Sequence, residues 1–350
     1  MVARLTRILL MLQAVVAAMI GLGLQRYFDD GKPMPTWVAL LCGFAVVVCI
    51  RAAIAANNFR LAARFAEANC PVPIGRRRAV ALYLNELAAT LVSSSVNLPF
   101  GRLPSARIFV GDTIPVLLIH GYGCNSGYWR TLHRHLCRAQ ISHHAVDLEP
   151  VLADIDSYVP QIERAADALC VATGQARIIV IGHSMGGLVA RAWIRQSGEA
   201  KLARLITLGT PHCGTCLAQF APGLNSRQMQ RGARNGYDGR NRSAADKPVT
   251  CSEWLTALHA VQSGSQLSLV SIYSHHDNIV APAESAVVDG AVNLGFAGIG
   301  HVALASHPAI LACLMEQIRK AADDERAVAA ANLRSQRSQP ATSIQENPSC

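Results

Sequence analysis

Apolar positions follow two regimes along this 350-residue chain. The first is uniform. From Ile8 to Leu24, 17 residues run with only Gln13 polar, between Arg7 and Arg26, which is just long enough to cross a bilayer as a helix. A second run, Trp37 to Ile50, continues past Arg51 as Ala52-Ala53-Ile54-Ala55-Ala56. Taken from Pro35 to Ala56 it can also cross, with Arg51 reaching towards the headgroups. Only the short segment Asp29 to Pro35 separates the two, so residues 1–56 predict a transmembrane helical hairpin. Residues 57–105 read as a helical connector. Arg76-Arg77-Arg78 open it, and Ala79 to Val92 carries apolar residues at helical spacing while staying close to uniformly apolar. This segment suits either an extra helix on the following domain or an interfacial anchor with its arginines on anionic headgroups.

The second regime begins near residue 106. Short apolar runs, Pro115 to Ile119, Ile178 to Ile181, Leu267 to Tyr273 and Val292 to Phe296, alternate with helical segments, the pattern of buried parallel strands. Ile178-Ile179-Val180-Ile181 leads into Gly182-His183-Ser184-Met185-Gly186, and then into Gly187 to Trp193. A strand that bends sharply into a helix at a glycine-flanked serine is a nucleophile elbow, and side chains at Gly182 or Gly186 would collide with the neighbouring strand and helix. The strand Pro115 to Ile119 runs into His120-Gly121-Tyr122-Gly123. Acyl transfer puts negative charge on a carbonyl oxygen, which two backbone N–H groups stabilise; Tyr122 and Met185 are the expected donors. Asp277 follows the third strand and His301 the fourth. The chain order Ser184, Asp277, His301 is the order of α/β-hydrolases, distinct from those of chymotrypsin and subtilisin. Glu284 and Asp289 are the alternatives to Asp277. His183 reads as packing beneath the elbow, His275 and His276 as loop residues.

His120-Gly121-Tyr122, Gly182-His183-Ser184-Met185-Gly186-Gly187, Leu208-Gly209-Thr210-Pro211-His212, Tyr273-Ser274 with Asp277, and Gly300-His301 together resemble bacterial lipases of the α/β-hydrolase superfamily, the small Bacillus-type triacylglycerol lipases among them. The resemblance covers residues 112–320. It implies an α/β fold with a mostly parallel, doubly wound sheet over 106–322, lipase or esterase activity without an organic cofactor, and a cap or lid at 213–264 over the acyl pocket, with Leu217, Phe220, Leu224, Trp254, Leu255 and Leu258 as lining. A thioesterase or amidase with the same triad, or a silent hydrolase fold serving as a membrane scaffold, are the alternative functions.

Charge bears on topology. Arg4 and Arg7 precede the first span, and Arg60, Arg64 and Arg76 to Arg78 follow the second, so the positive-inside rule puts both ends on the cytoplasmic face of a bacterial inner membrane. A secretory signal over residues 1–24 or a periplasmic catalytic domain are the alternatives. The formal charge of +9 is explained by these arginines, and no motif supports nucleic-acid binding; the expected partners are the membrane and a lipid or small ester substrate. Eleven cysteines, two of them in the second apolar run, do not form a secreted disulfide pattern. Cys213 and Cys216 read as loop thiols, and His133, His135, His143 and His144 as surface histidines, so no metal is expected. A disordered tail is expected over 323–350.

Overall fold

A computed structural model describes residues 1–28, 34–66, 72–103, 105–111, 113–232, 251–262 and 268–337. Its centre is a six-stranded, wholly parallel sheet: β1 (Val116–Ile119), β2 (His143–Val146), β3 (Ile178–His183), β4 (Leu202–Leu208), β5 (Leu269–Ser274) and β6 (Val292–Phe296), in the order β2-β1-β3-β4-β5-β6. Successive strand residues point to opposite faces, and both faces are covered. Leu118, Ile179, Ile181, Val270 and Ile272 pack with Leu132 and Leu136 of α5 (Arg130–Arg138) and with Ile310, Leu314 and Ile318 of α10 (Pro308–Arg337). Leu117, Ile119, Val180 and Leu205 pack with α6 (Val159–Thr173), α7 (Met185–Ser197) and α9 (Glu253–Gln262). Burial on both faces explains why β1 and the Ile178–Ile181 part of β3 are uniformly apolar rather than alternating. The expected doubly wound α/β-hydrolase sheet is therefore present.

Before the sheet come α1 (Val2–Tyr27), α2 (Thr36–Phe65) and α3 (Arg76–Val92), the last running on through a π-turn, Ser93–Asn97, into α4 (Leu98–Phe100). The helices α1, α2 and Arg76–Phe100 are each long and apolar enough to cross a membrane. Small residues seat α1 on α2. A methyl group built on Gly43 would lie 1.9 Å from the Ala17 carbonyl oxygen, and one on Gly21 would lie 2.4 Å from that of Ala39. The pairs Ala17/Gly21 and Ala39/Gly43 thus let the backbones touch, the means by which apolar helices associate where no hydrophobic gain separates lipid from side chain. Leu5, Leu9, Leu12, Met19, Leu41 and Phe44 face outwards and exposed.

Three differences from the sequence reading have physical causes. The second helix extends to Phe65, beyond the expected end at 56, because Ala55 to Phe65 holds no proline or glycine and Arg60 to Arg64 supplies good helix formers. Arg51 does not snorkel: its guanidinium donates to Ser95 Oγ at 2.9 Å and to the Ser94 hydroxyl on the π-turn. The expected disordered tail is helical as far as Arg337, since its acidic start is tied down by ion pairs from Arg204 to Asp324 and from Arg177 to Glu325, and alanines follow it. Residues 338–350 lie outside the described residues, as does 233–250, the middle of the expected lid.

Candidate active site

β3 turns into α7 at Ser184, whose backbone has φ 54° and ψ −125°. That conformation costs a non-glycine residue roughly 1–3 kcal/mol, and its surroundings enforce it. The Ser184 N–H donates to the Leu208 carbonyl at 2.8 Å, and its own carbonyl accepts the Gly187 N–H at 3.1 Å. A methyl group on Gly186 would sit 2.2 Å from the Ile119 carbonyl oxygen, so the helix reaches the end of β1 only because position 186 has no side chain. The elbow is set by backbone hydrogen bonds and by close packing against the ends of β1 and β4.

Met185 opens α7, where first-turn N–H groups have no intrahelical acceptor. The loop bearing Tyr122 comes up beside it: a methyl group on Gly121 would lie 2.9 Å from Ser184 Cβ. His120 beneath this loop accepts the Leu148 N–H on Nε2 at 3.0 Å, so its Nδ1–H donates to the Gly121 carbonyl at 2.9 Å. The Tyr122 hydroxyl donates to the Pro222 carbonyl at 2.7 Å, joining the loop to the lid region.

His301 stands across the rim, buried, as the residue preceding the turn Val302–Ala305. Its Nδ1 lies 2.7 Å from Asp277 Oδ2. The other Asp277 oxygen accepts the N–H groups of Ile279 and Val280, both at 2.8 Å, which fixes the carboxylate plane. Glu284 instead sits in the turn Ala283–Ala286, so Asp277 is the acid that meets the imidazole. The His301 N–H donates to Asn278 Oδ1 at 3.0 Å, and its carbonyl accepts from His183 Nε2 at 3.2 Å. A methyl group on Gly209, the residue after β4, would contact both Asp277 Oδ2 and His301 Nδ1. Ser184, Asp277 and His301 therefore share one rim, at the carboxyl ends of the strands. Among the described residues no hydrogen bond joins the Ser184 hydroxyl to His301; such bonds often form only with substrate in place.

Burial on its own would depress the basicity of His301, but the Asp277 charge and hydrogen bond, helped by Glu86, hold its pKa above the usual imidazole value. His183 goes the other way. Burial, and then the neighbouring His301, push it well below the ordinary range, so it stays neutral. It is packed between Tyr128, with ring centroids 4.3 Å apart, and His301, at 4.6 Å, which fits the expected packing role beneath the elbow.

Glu86 and Asn278 are the site residues that sequence reasoning missed. Glu86 is fully buried, and its carboxylate accepts the N–H groups of Val302 and Ala303 at 2.9 and 3.0 Å. A signal was available: it is the single charged residue between Ala79 and Val92, and a lone carboxylate in an apolar helix needs a partner.

Other expectations resolve differently. His212 of the Gly-Thr-Pro-His segment is a buried strut: Arg191 donates to its Nδ1 at 3.2 Å, its Nε2 meets Thr207 Oγ1 at 3.0 Å, and its carbonyl accepts from His259 at 2.8 Å. Leu255 and Leu258, expected in the acyl pocket, are fully buried against the sheet, and Trp254 donates to Asp156, so α9 belongs to the core rather than the pocket wall. Phe220 and Leu224 are exposed. Cys213, Cys216 and Cys251 are free thiols. His143 is buried rather than superficial, with its Nε2 2.8 Å from His133 Nδ1 and its Nδ1 bonded to the Ile141 carbonyl. Cys137 joins them, the three ligand atoms lying within 4.8 Å of one another. Its sulfur lies 3.9 and 3.7 Å from the two His133 ring nitrogens, and the 2.8 Å between His133 Nδ1 and His143 Nε2 is a hydrogen-bond distance.

The chain's resemblances to known proteins agree with this architecture. The profile of the alpha/beta hydrolase family matches residues 116–332. A GPI inositol-deacylase from Candida albicans is 31% identical over 123 residues, which make up 29% of this chain and 32% of that protein; the chain spans about a third of that relative's length. The mature form of the Bacillus licheniformis lipase BlEst2 superposes with a TM-score of 0.50 at 14% identity, covering 61% of this chain and 97% of that one. With the family profile spanning the entire parallel sheet, the chain belongs to the alpha/beta hydrolase family.

Proposed function

We propose that the protein is a membrane-anchored serine hydrolase that cleaves carboxylic esters of apolar acyl chains through Ser184, His301 and Asp277. The observation that carries the reading is the 2.7 Å bond between His301 Nδ1 and Asp277 Oδ2, formed on the same rim as a serine held at φ 54°. His301 Nε2 takes the Ser184 proton as Oγ attacks the ester carbonyl; Asp277 holds the Nδ1–H tautomer and stabilises the imidazolium that forms. The backbone N–H groups of Tyr122 and Met185 receive the developing oxyanion, each worth about 3 kcal/mol of barrier. His301 then returns the proton to the departing alcohol, and water cleaves the acyl-Ser184 ester by the same steps in reverse.

The apolar helices α1 and α2 support a bilayer anchor, with both ends on the cytoplasmic side by their arginines. An anchor next to the site favours an ester that is itself lipid-borne, and a relative named as an inositol-deacylase supports the same substrate class. The test is hydrolysis of p-nitrophenyl butyrate and caprylate by detergent-solubilised full-length protein. Turnover that disappears in Ser184→Ala supports the reading; turnover equal in both proteins overturns it.

A further inference from the structure

We propose that Glu86 of the membrane-side helix α3 is a positioning residue for the catalytic base: its carboxylate builds the turn that carries His301. The inference rests on the hydrolase reading above and extends its machinery to a residue outside the matched family region, which begins at 116.

The geometry is that of a helix cap supplied from another part of the chain. The first N–H groups of a helical turn lack acceptors, and normally the side chain just before the turn provides one. Here that preceding residue is His301, whose ring is turned to Asp277 and whose side chain gives the turn no cap. Glu86 fills the gap with both oxygens, one on Val302 and one on Ala303. The approach is close enough to forbid a side chain at Gly300, where a methyl group would lie 2.4 Å from Glu86 Oε2.

Among the described residues, the side-chain hydrogen bonds between this helix and this turn come from Glu86. A cavity of about 380 Å³ lies between them, lined by Asn85, Ala89, Tyr128, Val302 and Ser306 among others. The polar clamp at Glu86, with the packing around Leu98 and Ala89, therefore does the work of registering α3 on the catalytic rim. Because α3 follows the hairpin in the chain and bonds to it through Tyr83 and Ala52, at 2.8 Å, the position of the base is tied to the membrane segment. Residues 106–322 by themselves lack the group that completes the turn.

When ionised, Glu86 also adds a second negative charge near the imidazole. The charged or titratable groups facing His301 are Asp277 from the loop after β5, Glu86 from α3 and His183 from the end of β3, with Tyr128 stacked on the far side of His183. Glu86 stabilises the imidazolium, so losing its charge makes His301 less basic.

The test compares wild type, Glu86→Gln and Glu86→Ala as full-length protein in detergent, with circular dichroism checking the fold. Gln is close to isosteric and keeps one acceptor, so it is the deciding variant if Ala fails to fold. We expect kcat to fall on the order of 10-fold in Gln and up to about 100-fold in Ala, with KM within about twofold, because the base is displaced and the ester pocket is not. The acid limb of kcat/KM should also move to lower pH in Gln. An acid limb at its wild-type position in Glu86→Gln overturns the proposal, whatever the rate. Fluorophosphonate labelling of the wild type keeps the two readings apart: an unlabelled Ser184 defeats the hydrolase assignment itself, whereas a labelled Ser184 with an unmoved Glu86→Gln limb defeats the role of Glu86 alone.

Discussion

The two halves of the site are built on opposite principles. The elbow holding Ser184 is built of backbone and shape: a strand, a positive-φ residue bonded to the Leu208 carbonyl, and glycines that let α7 press against the end of β1. The turn holding His301 is non-local and polar. Its backbone is bonded by Asn278 and His183, its ring by Asp277 and the residues after it by Glu86, contributed by β3, the loop after β5 and α3. A nucleophile must be fixed rigidly at one point, and close packing does that. A base must change charge during each cycle, so it stands where carboxylates and a neutral imidazole can answer that change.

Substitutions can break this contrast in graded steps. Ser184→Ala removes the proposed nucleophile and should lower ester turnover by on the order of 10⁴- to 10⁶-fold, read with p-nitrophenyl esters. Asp277→Asn leaves the His301 turn in place but offers the wrong hydrogen-bond partner to Nδ1; a loss of about 10³- to 10⁴-fold in kcat is expected, with thermal stability nearly unchanged. A loss below tenfold would mean that another acid orients the imidazole. The pH profile sharpens the polar half. As the proposed base, His301 works only when neutral and its pKa is raised, so kcat/KM should fall with decreasing pH along a limb centred above ~6.5, the value of a free imidazole. A limb centred below that value would show that burial outweighs the carboxylates.

Smaller effects test the periphery. Tyr122→Phe keeps the backbone N–H offered to the oxyanion and loses only the bond to Pro222, so kcat/KM should change by less than about fivefold, the equivalent of one ordinary hydrogen bond. Gly43→Ala puts a methyl group where the Ala17 carbonyl lies. It should lower the melting temperature in detergent, at a cost of about 1–3 kcal/mol, while kcat at 25 °C stays within about twofold.

Sequence legibility follows the same division. Four of the six strands, the elbow and the order Ser184, Asp277, His301 were readable because each is written in contiguous residues: apolar runs of strand length, glycines two places from a serine, polar residues just after strands; β2, with two histidines in four residues, was not. The hairpin was readable from apolar length, but its end was not, since alanine-rich helix continues past the span. The partners of Glu86 and Asn278 are backbone groups far away in the chain, which leave no spacing to detect; only the isolation of Glu86 in an apolar run marked it. Leu255 and Leu258 were misplaced for a related reason: a core helix and a pocket helix show the same apolar pattern, and only the sheet decides which way it faces.

The most direct measurement is fluorophosphonate labelling of detergent-solubilised full-length protein, followed by peptide mapping. The account predicts a single modified peptide containing Ser184, with labelling abolished in Ser184→Ala and slowed in Asp277→Asn. Absence of label, or label that persists unchanged in Ser184→Ala, would contradict it.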